Sequence, residues 1–250
     1  MSTPSSPGRL PAVCALLALG LVASATAGAR PAPDGLAHAQ SGARTWARTS
    51  VRAASLSPDA MLEPRGIDDA PGGVFYVADS GRDRIVVVDP GGAIVRTFGS
   101  AGDGPTGLRQ PADVAVDAAR DRLYVVDRAN RRVAVFTLAG VPIAHWRSGG
   151  PEFALVPWAV AVADGTGEVY VLSRLPWGRI DRFTPEGRWL AGWGAVGAGA
   201  GEFYYPEDLV VAPDGRLIVA DTNNDRLQLF DAAGAYLASW TGLGGVRAVD

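Results

Sequence analysis

The stretch Pro206–Trp240, PEDLVVAPDGRLIVADTNNDRLQLFDAAGAYLASW, decides the fold. It holds four short apolar segments: DLVVA, RLIVADT, RLQLFD and a last one closing on Trp240. Glycine, proline, aspartate and asparagine separate them. Short runs of Val, Ile, Leu and aromatics bounded by such turn formers predict strands joined by tight turns. A helical reading fails, because the runs are short and β-branched and glycine interrupts them every few residues.

The same unit occurs three more times. Aligned on Pro64, Pro111, Pro157 and Pro206, the copies lie 47, 46 and 49 residues apart. The first segments read GIDD, DVAVD, AVAVA and DLVVA; the second read VFYVADS, RLYVVDR, EVYVLSR and RLIVADT. The third opens on an arginine each time: RIVVVD, RVAVFT, RIDRFT and RLQLFD. The fourth ends on Phe98, Trp146, Trp193 and Trp240, at steps of 48, 47 and 47 residues. A lone four-stranded antiparallel sheet leaves both faces wet. Stacking such sheets radially covers the faces and protects the edges, so repeats of this length with four strands each predict the blades of an all-β propeller.

The unit resembles the NHL repeat: a proline, an apolar strand, a Y-V-x-D strand, an N-x-R-[IVL] turn, a glycine turn and a closing aromatic. The fourth copy carries Pro206, Ile218-Val219-Ala220-Asp221, Asn224, Arg226-Leu227 and Gly234. The second carries Tyr124, Asp127, Asn130, Arg132-Val133 and Gly140; the first keeps Tyr76, Asp79, Arg84-Ile85 and Gly91, with Asp83 in place of the asparagine. The resemblance covers about residues 64–245, as repeats 64–110, 111–156, 157–205 and 206–245 within a propeller domain 64–250. Relatives of this kind close with six blades, about 280 residues at this period, whereas 187 remain from Pro64 onward. The expectation is four recognisable blades forming an incomplete arc of a six-bladed propeller. A closed four-bladed ring and an arc completed by a second chain are the rivals. Val246–Asp250 reads as the first strand of a fifth unit.

The 250 residues carry a net charge of −3, which gives no electrostatic case for nucleic-acid binding. All the basic residues are arginine, a bias expected of a GC-rich, bacterial genome. At the N-terminus Arg9 precedes LPAVCALLALGLVASATA and small residues, the pattern of an export signal over residues 1–39, with cleavage after Ala27, Ala29 or Ala39. The run is too short and too rich in small residues for a stable membrane span. Residues 40–63 read as a flexible linker with one strand near Thr49–Leu56. The location expected is secreted or periplasmic. Cys14, inside the signal, is the single cysteine, so a mature chain has neither disulfides nor thiolate metal sites.

Three groups of residues invite chemistry. Asp79, Asp127 and Asp221 recur with Arg84, Arg132, Arg179 and Arg226, and their place at strand ends before turns predicts structural ion pairs and backbone capping. Asp113 and Asp208 share a place after the repeat proline, with Asp68 close by. First strands line a propeller's channel, so these carboxylates form a candidate calcium site. Solvated loop acids are the other reading. The third repeat breaks the pattern: Ser173 replaces the aspartate, and Arg174-Leu175-Pro176-Trp177-Gly178 replaces the polar turn. Tryptophan beside arginine suits a binding hot spot, which makes Arg174, Trp177 and Trp158 candidate ligand residues. The alternative has the tryptophan folded onto the next blade.

Some relatives of the repeat, the peptide-amidating lyases, use a histidine-held metal; here only His38 and His145 exist, and His38 lies in or beside the signal. No nucleophile elbow or phosphate loop is present in the sequence. The expectation is an exported, non-enzymatic binding or scaffolding module for a protein, peptide or glycan, needing no cofactor. The alternative is a calcium-dependent lyase or hydrolase with an acidic channel site.

Overall fold

The computed structural model describes residues 60–147, 155–174 and 178–249. Their regular structure is β-strand, apart from one-turn 3-10 helices at Ser80–Arg82, Ala118–Arg120 and Thr222–Asn224. Four antiparallel sheets follow one another, each a meander of four strands, within a compact unit spanning Ala54–Asp250. Blade 1 comprises Pro64–Ala70, Val74–Asp79, Arg84–Val88 and Ile94–Phe98; blade 2 comprises Pro111–Asp117, Arg122–Asp127, Arg132–Phe136 and Pro142–Trp146. Blade 3 comprises Pro157–Val162, Val169–Ser173, Arg179–Phe183 and Trp189–Trp193; blade 4 comprises Asp208–Val211, Leu217–Asp221, Arg226–Phe230 and Tyr236–Thr241. The expected signal, most of the linker with its strand, and Trp177 lie outside the described residues.

The core lies between blades. In blade 2, Leu123, Val125, Ala134 and Phe136 pack with Tyr76, Ala78, Ile85 and Val87 of blade 1. Their sequence neighbours Tyr124, Val126, Val133 and Val135 point the other way, onto Val160, Val169, Val171 and Phe183 of blade 3. A third cluster joins Tyr170, Leu172 and Ile180 to Leu209, Leu217, Val219 and Phe230 of blade 4. Alternation along a strand therefore feeds two apolar interfaces at once, which is why the inner strands are unbroken apolar runs.

Three devices recur along the blade boundaries. The closing aromatic lies on the next blade: Phe98 meets Phe136 at 5.4 Å between ring centroids, Trp146 meets Phe183 at 5.5 Å and Trp193 meets Phe230 at 6.4 Å. Each ring covers a turn glycine of that blade, Gly140, Gly187 or Gly234, where a Cβ would strike it. Secondly, a strand-2 tyrosine hydroxyl donates to a turn carbonyl of the next blade: Tyr76 to Leu138, Tyr124 to Pro185 and Tyr170 to Ala232, at 2.9, 3.2 and 3.1 Å. Blade 4 has Ile218 at this position.

The third device uses first-strand aspartates. Asp68, Asp113 and Asp208 each accept their own next residue's N–H and one from the neighbouring first strand. The donors across the boundary are Val116 at 2.7 Å, Val160 at 2.8 Å and Val249 at 2.9 Å. Val249 thus stands to Asp208 as Val160 stands to Asp113, while residues 246–249, expected to open a fifth unit as a strand, take no regular strand structure. First strands pack in succession from blade 1 to blade 4, and no comparable contact joins blade 4 back to blade 1 among the described residues. The propeller is an open arc. Trp240, at its free face, is 48% exposed, whereas its counterpart Trp146 is 8% exposed.

Candidate functional site

The acids along the channel come first. Asp113 is flanked by the Asp208 and Asp68 carboxylates, and burial together with those like charges holds its carboxyl well above the usual carboxylate range. The two N–H donors on it, from Val114 and Val160, oppose that shift without cancelling it. The expected calcium site at Asp68, Asp113 and Asp208 is not gathered: among the described residues no three His, Cys, Asp or Glu side chains converge on a point that suits a cation. The physical reason is their use as bridges, which spaces them one per strand.

The aspartates ending strand 2 are structural, as their strand-end positions suggested. Asp79, Asp127 and Asp221 are fully buried. Each takes the backbone N–H of a residue seventeen or eighteen positions earlier, Leu62, Arg109 or Tyr204. Each also takes the Nε–H of its arginine, Arg84, Arg132 or Arg226, at 2.6–2.7 Å. In blade 3 the aspartate is Ser173, and the carboxylate has moved to the middle of strand 3. There Asp181 accepts Arg179 Nε–H and Trp189 Nε1–H, both at 3.0 Å. Burial raises the Asp181 carboxyl above its ordinary value against those two donors.

That exception frees the chain after Ser173 for other work. Arg174 crosses from blade 3 toward blade 4, its guanidinium 4.3 Å from the Trp158 ring centre and 5.2 Å from that of Tyr205. On the blade-2 side, Arg128 sits 5.2 Å from the same Trp158 ring. Cation–π contacts of this kind hold guanidinium and indole together by about 0.5–2 kcal/mol each. Val156 and Pro157 complete the wall of a hollow of about 310 Å³. Glu207 pairs with Arg174 at 3.3 Å, and Gln110 accepts from Arg128 at 2.7 Å. Burial, then the charges of Arg65 and Arg174, pulls the Arg128 guanidinium below its ordinary value. Three arginines thus share this rim of a chain whose net charge is negative, with Glu207 as the paired acid.

Two of the three expected ligand residues, Arg174 and Trp158, are in contact; Trp177 lies outside the described residues. Arg128 and Tyr205 were not singled out from the sequence. The signal was there in the register: Arg128 and Arg174 each directly follow the last residue of strand 2 in adjacent blades. A larger hollow, about 570 Å³, lies between blades 1 and 2. It is an interblade groove whose polar groups, Tyr76 and Arg96, already donate to Leu138 O.

Residues 108–136 and 203–230 match the NHL repeat family. These segments cover the strand-2 aspartate, turn and strand-3 arginine of blades 2 and 4, the parts whose geometry has just been described. Blades 2 and 4 of this propeller carry NHL repeats. Its sequence is 37% identical over 79 residues to mouse (Mus musculus) peptidyl-glycine alpha-amidating monooxygenase, covering 30% of this chain and 8% of that protein. It is 28% identical over 142 residues to Drosophila melanogaster protein brain tumor, covering 56% of this chain and 13% of that one. The NHL arc thus spans a small part of either relative's length. Among solved structures, a streptogramin B lyase superimposes with a TM-score of 0.56 at 14% identity, over 72% of this chain and 54% of that one. A nidogen/laminin complex gives 0.56 at 19%, over 76% and 68%. At such identities the likeness is one of fold. Among the described residues no helix is long and apolar enough to cross a membrane.

Proposed function

We propose that this NHL-repeat chain is an exported, non-enzymatic binding module that captures a protein, peptide or glycan segment at the rim between blades 2, 3 and 4. The observation that carries this reading is the hollow walled by Trp158, Tyr205, Arg128 and Arg174. Aromatic rings and arginines concentrated in a concavity are the composition of interface hot spots. The hollow sits in the repeat that abandons the structural aspartate, where the fold's own demands on the loop are weakest. The first-strand and strand-2 carboxylates support the same reading from the other side, since backbone and arginine partners occupy them. The mouse relative's name refers to a peptidyl-glycine, and the nidogen structure was solved in complex with laminin; both are in keeping with a peptide or protein ligand.

The test is a screen of the purified chain against defined peptide and oligosaccharide arrays, repeated with Trp158→Ala. Ligands that the variant loses, with its thermal transition retained, bear out the reading; ligands indifferent to Trp158 refute it. Export is tested by fusing residues 1–39 to a periplasmic reporter, which is expected to report outside the cytoplasm.

A second reading, a hydrolase or lyase acting at the channel, rests on Asp113. A carboxyl raised well above its ordinary value by burial and by the nearby Asp208 and Asp68 carboxylates resembles one half of a general acid–base pair. Turnover of an ester or lactone panel that vanishes in Asp113→Asn and survives in Trp158→Ala would favour it.

A further inference from the structure

From the geometry of the rim hollow we infer that its ligand group is a side-chain carboxylate of an acidic peptide, gripped by Arg174 and Arg128, with Glu207 acting as a built-in competitor. The inference rests on the binding reading above and names the chemistry of that site.

Three observations carry it. Arg174 Nε–H is buried and has no hydrogen-bond partner, although a guanidinium offers five donors in a planar fork. A buried donor without an acceptor is destabilising, and a carboxylate taking the Nε and Nη2 donors satisfies it with two parallel hydrogen bonds. Secondly, Nη2, the nitrogen beside Nε on one edge of the fork, already meets a carboxylate: Glu207 Oε1 lies 3.3 Å from it, a long single contact. The chain itself thus shows which group the site accepts, and holds it loosely. Thirdly, Arg128 and Arg174 share the Trp158 ring, so two like charges are kept close beside apolar walls of Val156 and Pro157. An anion entering between them relieves their repulsion, and the apolar walls suit an aliphatic residue next to the acid.

A glycan fits less well. Sugars bind tryptophan by laying C–H groups on the ring, and here Arg174 covers Trp158 at 4.3 Å. A phosphate would meet the same donors but gains little from apolar walls. Glu207 meets Arg174 from the approach to blade 4, so its charge sets how readily an outside carboxylate takes the fork.

The experiment is calorimetric titration of the full chain with the peptide acetyl-Ala-Leu-Glu-Leu-Ala-amide, whose capped ends leave one carboxylate. Companion peptides carry glutamine or phosphoserine in place of the glutamate. A further pair carries glutamine with a free C-terminus, and an oligogalacturonate supplies carboxylates on a glycan. The glutamate peptide is expected to bind roughly 10- to 100-fold tighter than the glutamine peptide. Arg174→Met should abolish that difference, and Arg174→Lys, which keeps the charge without the fork, should restore only part of it. Glu207→Gln should bind the glutamate peptide roughly two- to fivefold more tightly. Damage to the fold does not produce such a gain. Equal binding of glutamate and glutamine peptides, or no gain from Glu207→Gln, overturns the inference. Preference for phosphoserine, for the free C-terminus or for oligogalacturonate overturns it in favour of that ligand. In each of those cases array ligands lost with Trp158→Ala still sustain the binding reading, whereas a Trp158-independent array refutes both.

Discussion

Removing the carboxylate of Asp127 should unravel the anchor of blade 2. Asp127 and Arg132 are both fully buried. Asp127 Oδ1 accepts Arg109 N–H at 2.7 Å, and Oδ2 accepts Arg132 Nε–H at 2.6 Å and Asn130 Nδ2–H at 2.7 Å. The remaining guanidinium nitrogens of Arg132 reach the carbonyls of Asp103, Gly104 and Gly107, so the pair also ties down the loop that leads from blade 1. In Asp127→Ala the arginine keeps its charge and those carbonyls but loses its counter-ion, and Arg109 N–H loses its acceptor. Breaking a buried pair from one side costs about 3–5 kcal/mol. Against a typical domain stability of about 5–15 kcal/mol, that is a large share. The assay is urea unfolding followed by tryptophan fluorescence, with Asp214→Ala as control. Asp214 pairs with Arg216 on the surface, each about half exposed, and its loss should leave the transition in place. The double variant Asp127→Ala/Arg132→Met should recover part of the loss, because it removes the stranded charge. Equal, small shifts for Asp127→Ala and Asp214→Ala would refute the reasoning, as would a double variant worse than the sum of the singles.

Further outcomes follow from the blade boundaries. Gly187→Ala should destabilise by about 2 kcal/mol or more, read by the same unfolding assay, since φ is +87° and a Cβ would lie 2.0 Å from Trp146 Nε1. Tyr124→Phe removes one interblade hydrogen bond to Pro185 O, at about 1 kcal/mol, and double-mutant cycles should show it independent of the distant Asp221–Arg226 pair. Asp113 has a folded-state pKa raised above its unfolded value, so the native state holds its proton longer. Its contribution is most favourable below pH of about 4 and is lost as pH rises through the folded value. Asp208→Asn, which takes away a like charge, should lower the Asp113 titration followed by carboxyl-carbon NMR; an Asp113 that titrates in the ordinary carboxylate range contradicts this.

The blades were legible because their cause is local. Strand length, turn residues and the arginine and aromatic registers are set within one repeat, and each repeat prints the same solution. The structural role of Asp79, Asp127 and Asp221 was legible for the same reason: the partner arginine is five residues away in every case. Gly66 shows the opposite situation. It replaces the aspartate that Asp113 and Asp208 supply at its position, and no feature of blade 1 explains it. The explanation is in blade 2, where a Cβ on Gly66 would meet Asp113 Oδ1 at 2.1 Å.

Residue order alone set the four blades, their strand order, the ion pairs that brace blades 1, 2 and 4, and the repeat in which the pattern breaks. Tertiary structure alone decided what the channel acids do and what surrounds Trp158. Asp68, Asp113 and Asp208 became bridges because each adjacent strand presents a backbone N–H at the right height, a fact of interblade packing. Arg128, Arg174 and Tyr205 belong to blade 2, blade 3 and the approach to blade 4. They meet at one indole because radial stacking brings equivalent loop positions side by side, and a linear pattern carries no measure of that distance.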